Sequence, residues 1–307
     1  MDGSPGGNSG RSRLRWATAA LLSALAAPAF PAAAAATEEH VSFLPTPAGP
    51  VLLVLPADAA AARHPRPVVL ALPDAPGSDG RSRPYLDTLN AAGFATVEFA
   101  PSADDDGAVR SPLSAADGLA AVLGALAAEP RVDAARLGVL AFGAGGRAAL
   151  REPALADAPS VLLYPGCAGL PPPGDRRVLL LHGGMDRADA PPGACARWAT
   201  AGPSVRRHEY RDATYAWDFS DGPWSDGLAL LPSPGDPSRR VWARADPSTT
   251  ADAAARAGEF LAVALGAADP GRPGEPGAVS SVGVAASGAG PPPPATLTEQ
   301  PSTASGG

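Results

Sequence analysis

Lysine is absent from the 307-residue sequence, so all 24 of its basic side chains are arginines. A bias of the coding genome explains this more simply than any function does. Positive charge is in short supply: 31 acidic residues give a formal net charge of −7, and no stripe of arginines runs against it. That balance argues against nucleic acid as a partner. Cysteine is nearly absent too, with two in the chain, and the four histidines are scattered rather than grouped as metal ligands. The acidic run Asp104, Asp105 and Asp106 reads as a solvated loop, since charges without a ligand pattern rarely hold a metal. Nothing in the pattern calls for a metal or a cofactor.

Long hydrophobic runs are missing as well. The most apolar stretch, Trp16 to Ala27, is short for a bilayer, and Pro28 and Pro31 follow at once. With Arg11, Arg13 and Arg15 before it and the small residues Ala32 to Ala36 after it, residues 1–36 read as a secretory signal. No cysteine follows the apolar run, so a lipid anchor is not indicated. The expectation is a secreted or cell-envelope protein with no stable membrane insertion after cleavage. In an oxidising compartment the even cysteine count favours a disulfide, for which Cys167 and Cys195 are the one available pair.

What is present is an alternation of strand-like and helix-like segments. Val41–Leu44 and Val51–Leu55 are short apolar runs separated by turn residues, and Val68–Leu72 is a continuous run suited to a strand covered on both faces. Arg81–Ala92 has helical spacing with Gly93 to end it, and Phe94–Phe99 returns to a strand. Ser114–Glu129 is helical and stopped by Pro130. Leu137–Phe142, Val161–Tyr164, Val178–His182 and Val205–Tyr210 continue the strands, while Cys195–Thr200 and Thr249–Leu265 have helical patterns. Between Phe219 and Pro247 the pattern dissolves into Gly, Pro, Ser and Asp with scattered apolar residues, which suits a packed excursion. Beyond Ala267 the tail is too poor in apolar residues to bury a core, so residues 269–307 are expected to be disordered. Residues 37–268 then form one α/β domain with a mostly parallel sheet.

The centre of this domain is LGVLAFGAGGRAAL, Leu137 to Leu150. Strand residues break into glycines and then into a helix, the outline of the G-x-S-x-G turn that lifts a nucleophile above a sheet. Gly143 stands at the tip. It has no side chain with which to attack.

Four stretches resemble, in order, the dienelactone hydrolase family of α/β-hydrolases: Asp79–Phe94, Arg131–Gly146, Leu162–Gly169 with Leu179–Asp186, and Tyr210–Phe219. The resemblance implies an α/β-hydrolase fold, with a mostly parallel central sheet and helices on both faces. It also implies a hydrolase of esters or lactones, in which a His takes the nucleophile's proton and a carboxylate orients the His. Asp186 matches the acid position, and Gly143 stands where the nucleophile belongs. Tyr215 stands at the His position, where a phenol of ordinary pKa near about 10 is a poor base at neutral pH. The loop that supplies an oxyanion-hole N–H in the family reads Pro73, Asp74, Ala75, Pro76, Gly77 here. Pro76 has no N–H to give, and a carboxylate at Asp74 opposes the charge such a hole stabilises, leaving the Ala144 amide as its other member.

Other groups do not restore the set. His182 precedes Asp186 in a pattern ordinary for the fold and reads as structural, and His208 belongs to the last strand's pattern. His40 and His64 lie in polar stretches, and Ser78 and Ser82 have no base beside them. The favoured expectation is a secreted protein of this fold without hydrolytic function, binding a small molecule in the vestigial cleft. Two alternatives stay open: a hydrolase using a relocated nucleophile, and an envelope interaction module.

Overall fold

The computed structural model describes residues 40–47, 49–57, 64–74, 80–99, 102–103, 109–110, 118–188, 193–200, 202–219 and 227–266. The expected leader and tail, the acidic loop at Asp104–Asp106, Ser78, and the loop residues Ala75, Pro76 and Gly77 lie outside them.

Strands β1 (His40–Leu44) and β2 (Val51–Leu55) form an antiparallel hairpin, with Val41 opposite Val54. Strand β3 (Arg66–Leu72) follows, then helix α1 (Arg83–Ala91), strand β4 (Ala95–Phe99) and the small pair β5 (Ser102–Ala103) and β6 (Val109–Arg110). Helix α2 (Gly118–Ala128) leads to strand β7 (Val132–Phe142), helix α3 (Gly143–Arg151), and strands β8 (Ser160–Leu163), β9 (Val178–Gly183) and β10 (Val205–Tyr210). A two-stranded ribbon, β11 (Leu228–Ser233) and β12 (Asp236–Arg244), precedes the last helix, α4 (Pro247–Leu265).

Eight strands make the main sheet in the order β1-β2-β4-β3-β7-β8-β9-β10. β2 runs antiparallel to both neighbours, and every pair from β4 to β10 is parallel. This is the mostly parallel α/β sheet that the alternation pointed to, in the α/β-hydrolase arrangement that the resemblance implied. The period of two along each strand divides the core between two faces. Val69, Ala71, Leu140, Phe142, Val161 and Leu163 point to one face, where they meet α1 and α4. Val68, Leu70, Leu72, Val139, Ala141 and Leu162 point to the other, with Val122 of α2 and Ala149 of α3. Helices thus cover both sides, which is why the central strands have no polar alternation.

Local chemistry sets the helix ends. Asp246 caps α4 by accepting from the backbone amides of Ser248 and Thr249, each at 3.0 Å, and Pro247 takes the first helical position. Gly266 closes the helix in the left-handed conformation at φ 62°. A Cβ on Gly138 would meet Leu261 at 2.9 Å, so glycine lets α4 lie close on β7. Cys167 and Cys195 form the expected disulfide, with both residues buried in the second face of the core. Their sequence separation of 28 makes the cross-link worth roughly 3–4 kcal/mol in a chain-entropy account.

Three expectations need correction. Cys195–Thr200 is a 3-10 helix, a tighter coil suited to so short a segment. The helix expected from Arg81 begins at Arg83, because Arg81 and Ser82 are still in the turn that enters it. The excursion between the last strand and α4 contains the β11–β12 ribbon, held by the pairing of Leu230 with Trp242 and Leu231 with Val241.

Candidate functional site

The elbow exists as a backbone feature. β7 ends at Phe142 in extended conformation, Gly143 turns at φ 45°, and α3 starts there. A side chain at such a φ is strained, and glycine removes that cost. The neighbouring Gly145 serves close approach instead. A Cβ there would come within 2.4 Å of the Pro73 carbonyl oxygen, so the end of β3 lies directly against the first turn of α3.

That approach brings Asp74 onto Gly143. A Cβ built on Gly143 would lie 2.1 Å from Asp74 Oδ1, so the carboxylate fills the space that a side chain at this position would need. Asp74 Oδ1 accepts from the Ala144 amide at 2.8 Å. This is the N–H of the residue after Gly143, at the first turn of α3. The positive end of α3 favours an anion there. Asp74 Oδ2 accepts from Arg81 Nη1 at 3.0 Å and from the Tyr215 hydroxyl. The Arg81 and Asp74 side chains are 3% and 0% exposed, so this is a buried ion pair. Asp74 was expected to oppose charge near the Ala144 amide; in the structure it accepts a hydrogen bond from that amide.

Tyr215 is fully buried, and it donates to Asp74. Burial, and after it the charge of Asp74, pushes its phenol far above its ordinary pKa, so it remains a donor and cannot act as a base. It sits beside β12 through a parallel bridge to Ala243, and Val241 and Ala243 pack in the same core. Asp186 is buried at the end of β9, where Oδ1 accepts from the Ala188 amide at 2.7 Å. Its charge contributes to the raised pKa of Tyr215, which places the two in one electrostatic neighbourhood. The structure therefore gathers Asp74, Gly143, Ala144 and Tyr215 in direct contact, with Asp186 nearby.

Four other candidates are engaged elsewhere. His182 is buried and accepts from Arg207 Nε at 2.7 Å. His208 lies edge-on to Tyr210 with ring centroids 4.6 Å apart. Ser82 donates to Glu98, and Cys167 is consumed by the disulfide.

Sequence reasoning missed Arg81 and a second buried centre. Asp218 accepts from Tyr164 at 2.6 Å and from Tyr85 at 2.9 Å, and all three residues are buried. Burial first, and Asp218 after it, raises both phenols well above their ordinary values. Tyr164 holds a φ of 39°, unusual for a bulky residue, and its ring meets Tyr215 and Trp217 edge-on at 5.2 and 4.9 Å. The dipeptide Trp217-Asp218 was visible in the sequence, but nothing in it named the two tyrosines.

No family model matches the sequence, and no curated protein matches it either. Solved structures do resemble it. A protein named m3DLH is 21% identical over 74% of this chain and 98% of its own, with a TM-score of 0.51. A dienelactone hydrolase-like promiscuous phosphotriesterase from metagenomic libraries is 20% identical over 72% of this chain and 97% of its own, with a TM-score of 0.47. An α/β serine hydrolase without a lid from Xanthomonas campestris is 21% identical over 61% and 88%, with a TM-score of 0.43. At these identities the likeness is one of fold.

Proposed function

We propose that this chain is an extracytoplasmic α/β-hydrolase-fold protein that does not hydrolyse esters or lactones at its elbow. One observation carries the reading: the Asp74 carboxylate fills the place of a nucleophile's side chain and takes the Ala144 amide. Glycine at 143 offers no attacking group, and the buried Tyr215 phenol offers no base. An incoming carbonyl would have to displace a carboxylate from Arg81, Tyr215 and the helix amide together. The centre supports the fold rather than a reaction, and a ligand seated at the elbow is disfavoured because a side chain of the protein already lies there.

The test is an assay of the full chain against aryl esters and lactones. Background hydrolysis is expected, unchanged by Asp186→Ala. Turnover that falls with Asp186→Ala would overturn the proposal in favour of a relocated nucleophile. The plug itself is tested by restoration. Gly143→Ser with Tyr215→His is expected to stay inactive, because the new hydroxyl meets Asp74. Adding Asp74→Gly is expected to open the elbow and allow measurable ester cleavage.

A further inference from the structure

The β11–β12 ribbon breaks the rule that its own alternation sets. One face is core, with Val241 and Ala243 buried against Tyr215 and Trp217. The opposite face should be polar, yet it presents Leu228, Leu230 and Trp242, which are 43%, 49% and 57% exposed. The other described tryptophans, Trp198 and Trp217, are buried. Register places Leu230 directly across from Trp242, with Leu228 opposite Arg244 and Pro232 opposite Arg240. An apolar pair is thus bracketed by two arginines of one strand, about 13 Å apart at ordinary strand rise. Neither arginine ion-pairs with a described residue. With Arg239, the ribbon has three arginines against the single Asp236, in a chain whose net charge is −7.

We infer that the outer face of this ribbon docks on an anionic lipid surface. Charge complementarity selects an anionic partner, and the aliphatic side chains select lipid over a hydrated acidic polymer, to which exposed leucines offer little. Tryptophan favours the headgroup level, where its ring has an apolar body and a polar edge. Arginine stems can lie along the apolar patch while their guanidinium groups reach phosphates. The ribbon's inner face is fixed in the core, so it meets the membrane as a rigid platform. The negative charge on the rest of the chain orients this face toward the bilayer. The contact is peripheral: no described helix is long and apolar enough to cross a membrane. It is also independent of whether the elbow is silent.

Tryptophan quenching by vesicles with brominated acyl chains tests the inference on the full chain. The Trp242 signal is the difference between the unaltered chain and Trp242→Phe, which subtracts the other four tryptophans, including Trp16 of the expected leader. Quenching of Trp242 is expected on vesicles of phosphatidylglycerol and phosphatidylcholine, and little on phosphatidylcholine alone. Arg240→Gln and Arg244→Gln should each weaken it about fivefold, with the far-UV spectrum and melting temperature unchanged. The inference fails if Trp242 is not quenched, if both vesicle types quench it equally, or if the arginine variants leave it unchanged. A Trp242-dependent dimer without Trp242 quenching would replace lipid with a second copy of the chain.

Discussion

Two buried carboxylates border the same aromatic core and are held by different means. Asp74 is matched by a cation, a helix amide and a phenol: Arg81, Ala144 and Tyr215. Asp218 is held by two phenols, Tyr85 and Tyr164. The rings of Tyr164 and Tyr215 touch edge-on, so the two centres share a wall. The first joins the end of β3 to the start of α3, the turn before α1 and the segment after β10, and the second ties α1, the end of β8 and the segment after β10 together. A carboxylate with a guanidinium beside it has its charge met whatever happens to a single phenol. Phenols supply hydrogen bonds but no opposite charge.

The largest expected effect follows from the ion pair. Asp74→Ala breaks the contact with buried Arg81 and removes the acceptor of Tyr215 and Ala144, which should cost about 3–5 kcal/mol, as loss of one partner of a buried pair does. Asp74→Asn keeps an acceptor and should cost less. Denaturant titration checks both, and a cost for Asp74→Ala below about 0.5 kcal/mol, the range of an ordinary surface change, would mean the plug is incidental. The next effect separates the two centres. Tyr164→Phe should cost about 1.5–3 kcal/mol, the range for a hydrogen bond to a charged group. Tyr215→Phe should cost less, because Asp74 keeps Arg81 at 3.0 Å and Ala144 at 2.8 Å. The reverse order would show that the guanidinium does not buffer the loss.

Much of the scaffold was legible because burial leaves a local mark. Val68–Leu72 reads as a two-sided strand from its lack of polar alternation, and the structure buries it on both faces. Gly143 announces itself because it stands in a patterned turn, and the cysteine pair is fixed by arithmetic. The plug was not legible, since Asp74 and Gly143 lie far apart in sequence and a filler is matched to its gap only in space. In the sequence Asp74 read as a charge opposing a reaction. Its carboxylate turned toward the helix amide is what makes it an occupant. Arg81 is one of many arginines, and nothing local distinguishes a buried guanidinium from an exposed one. The β11–β12 ribbon was hidden by Pro234 and Gly235, which form the turn between its strands, and by Pro237 inside β12, all of which read as loop.

Alkali should loosen both centres together. Tyr85, Tyr164 and Tyr215 have pKa values raised in the fold, first by burial and then by Asp218 or Asp74. A raised folded-state pKa means the native protein holds the proton more tightly than the unfolded chain. Stability from these groups is therefore fully present below the unfolded value of about 10 and declines as pH rises above it. Melting temperature followed from pH 8 to 11.5 should fall more steeply above pH 10 in the unaltered protein than in Tyr164→Phe. Equal slopes would mean that the shared aromatic wall contributes nothing to the titration.

The smallest effect lies outside both centres and calibrates them. Asp246 is a carboxylate at the surface end of α4, with a pKa lowered chiefly by the Thr249 amide and then by Ser248. Here the folded state holds the proton less tightly, so its contribution is present above the unfolded pKa of about 4 and is lost as pH falls through the lower folded value. Asp246→Ala should cost about 1 kcal/mol near neutral pH, the worth of an ordinary helix cap, and the difference from the unaltered protein should shrink toward pH 2. Unlike Asp74, this carboxylate is caught by amides that water can also serve, so its loss should fray the first turn of α4 without reaching the core. Amide exchange confined to Ser248 and Thr249 would confirm that separation, whereas exchange spreading to Leu261 would show that the cap and the core unfold as one unit.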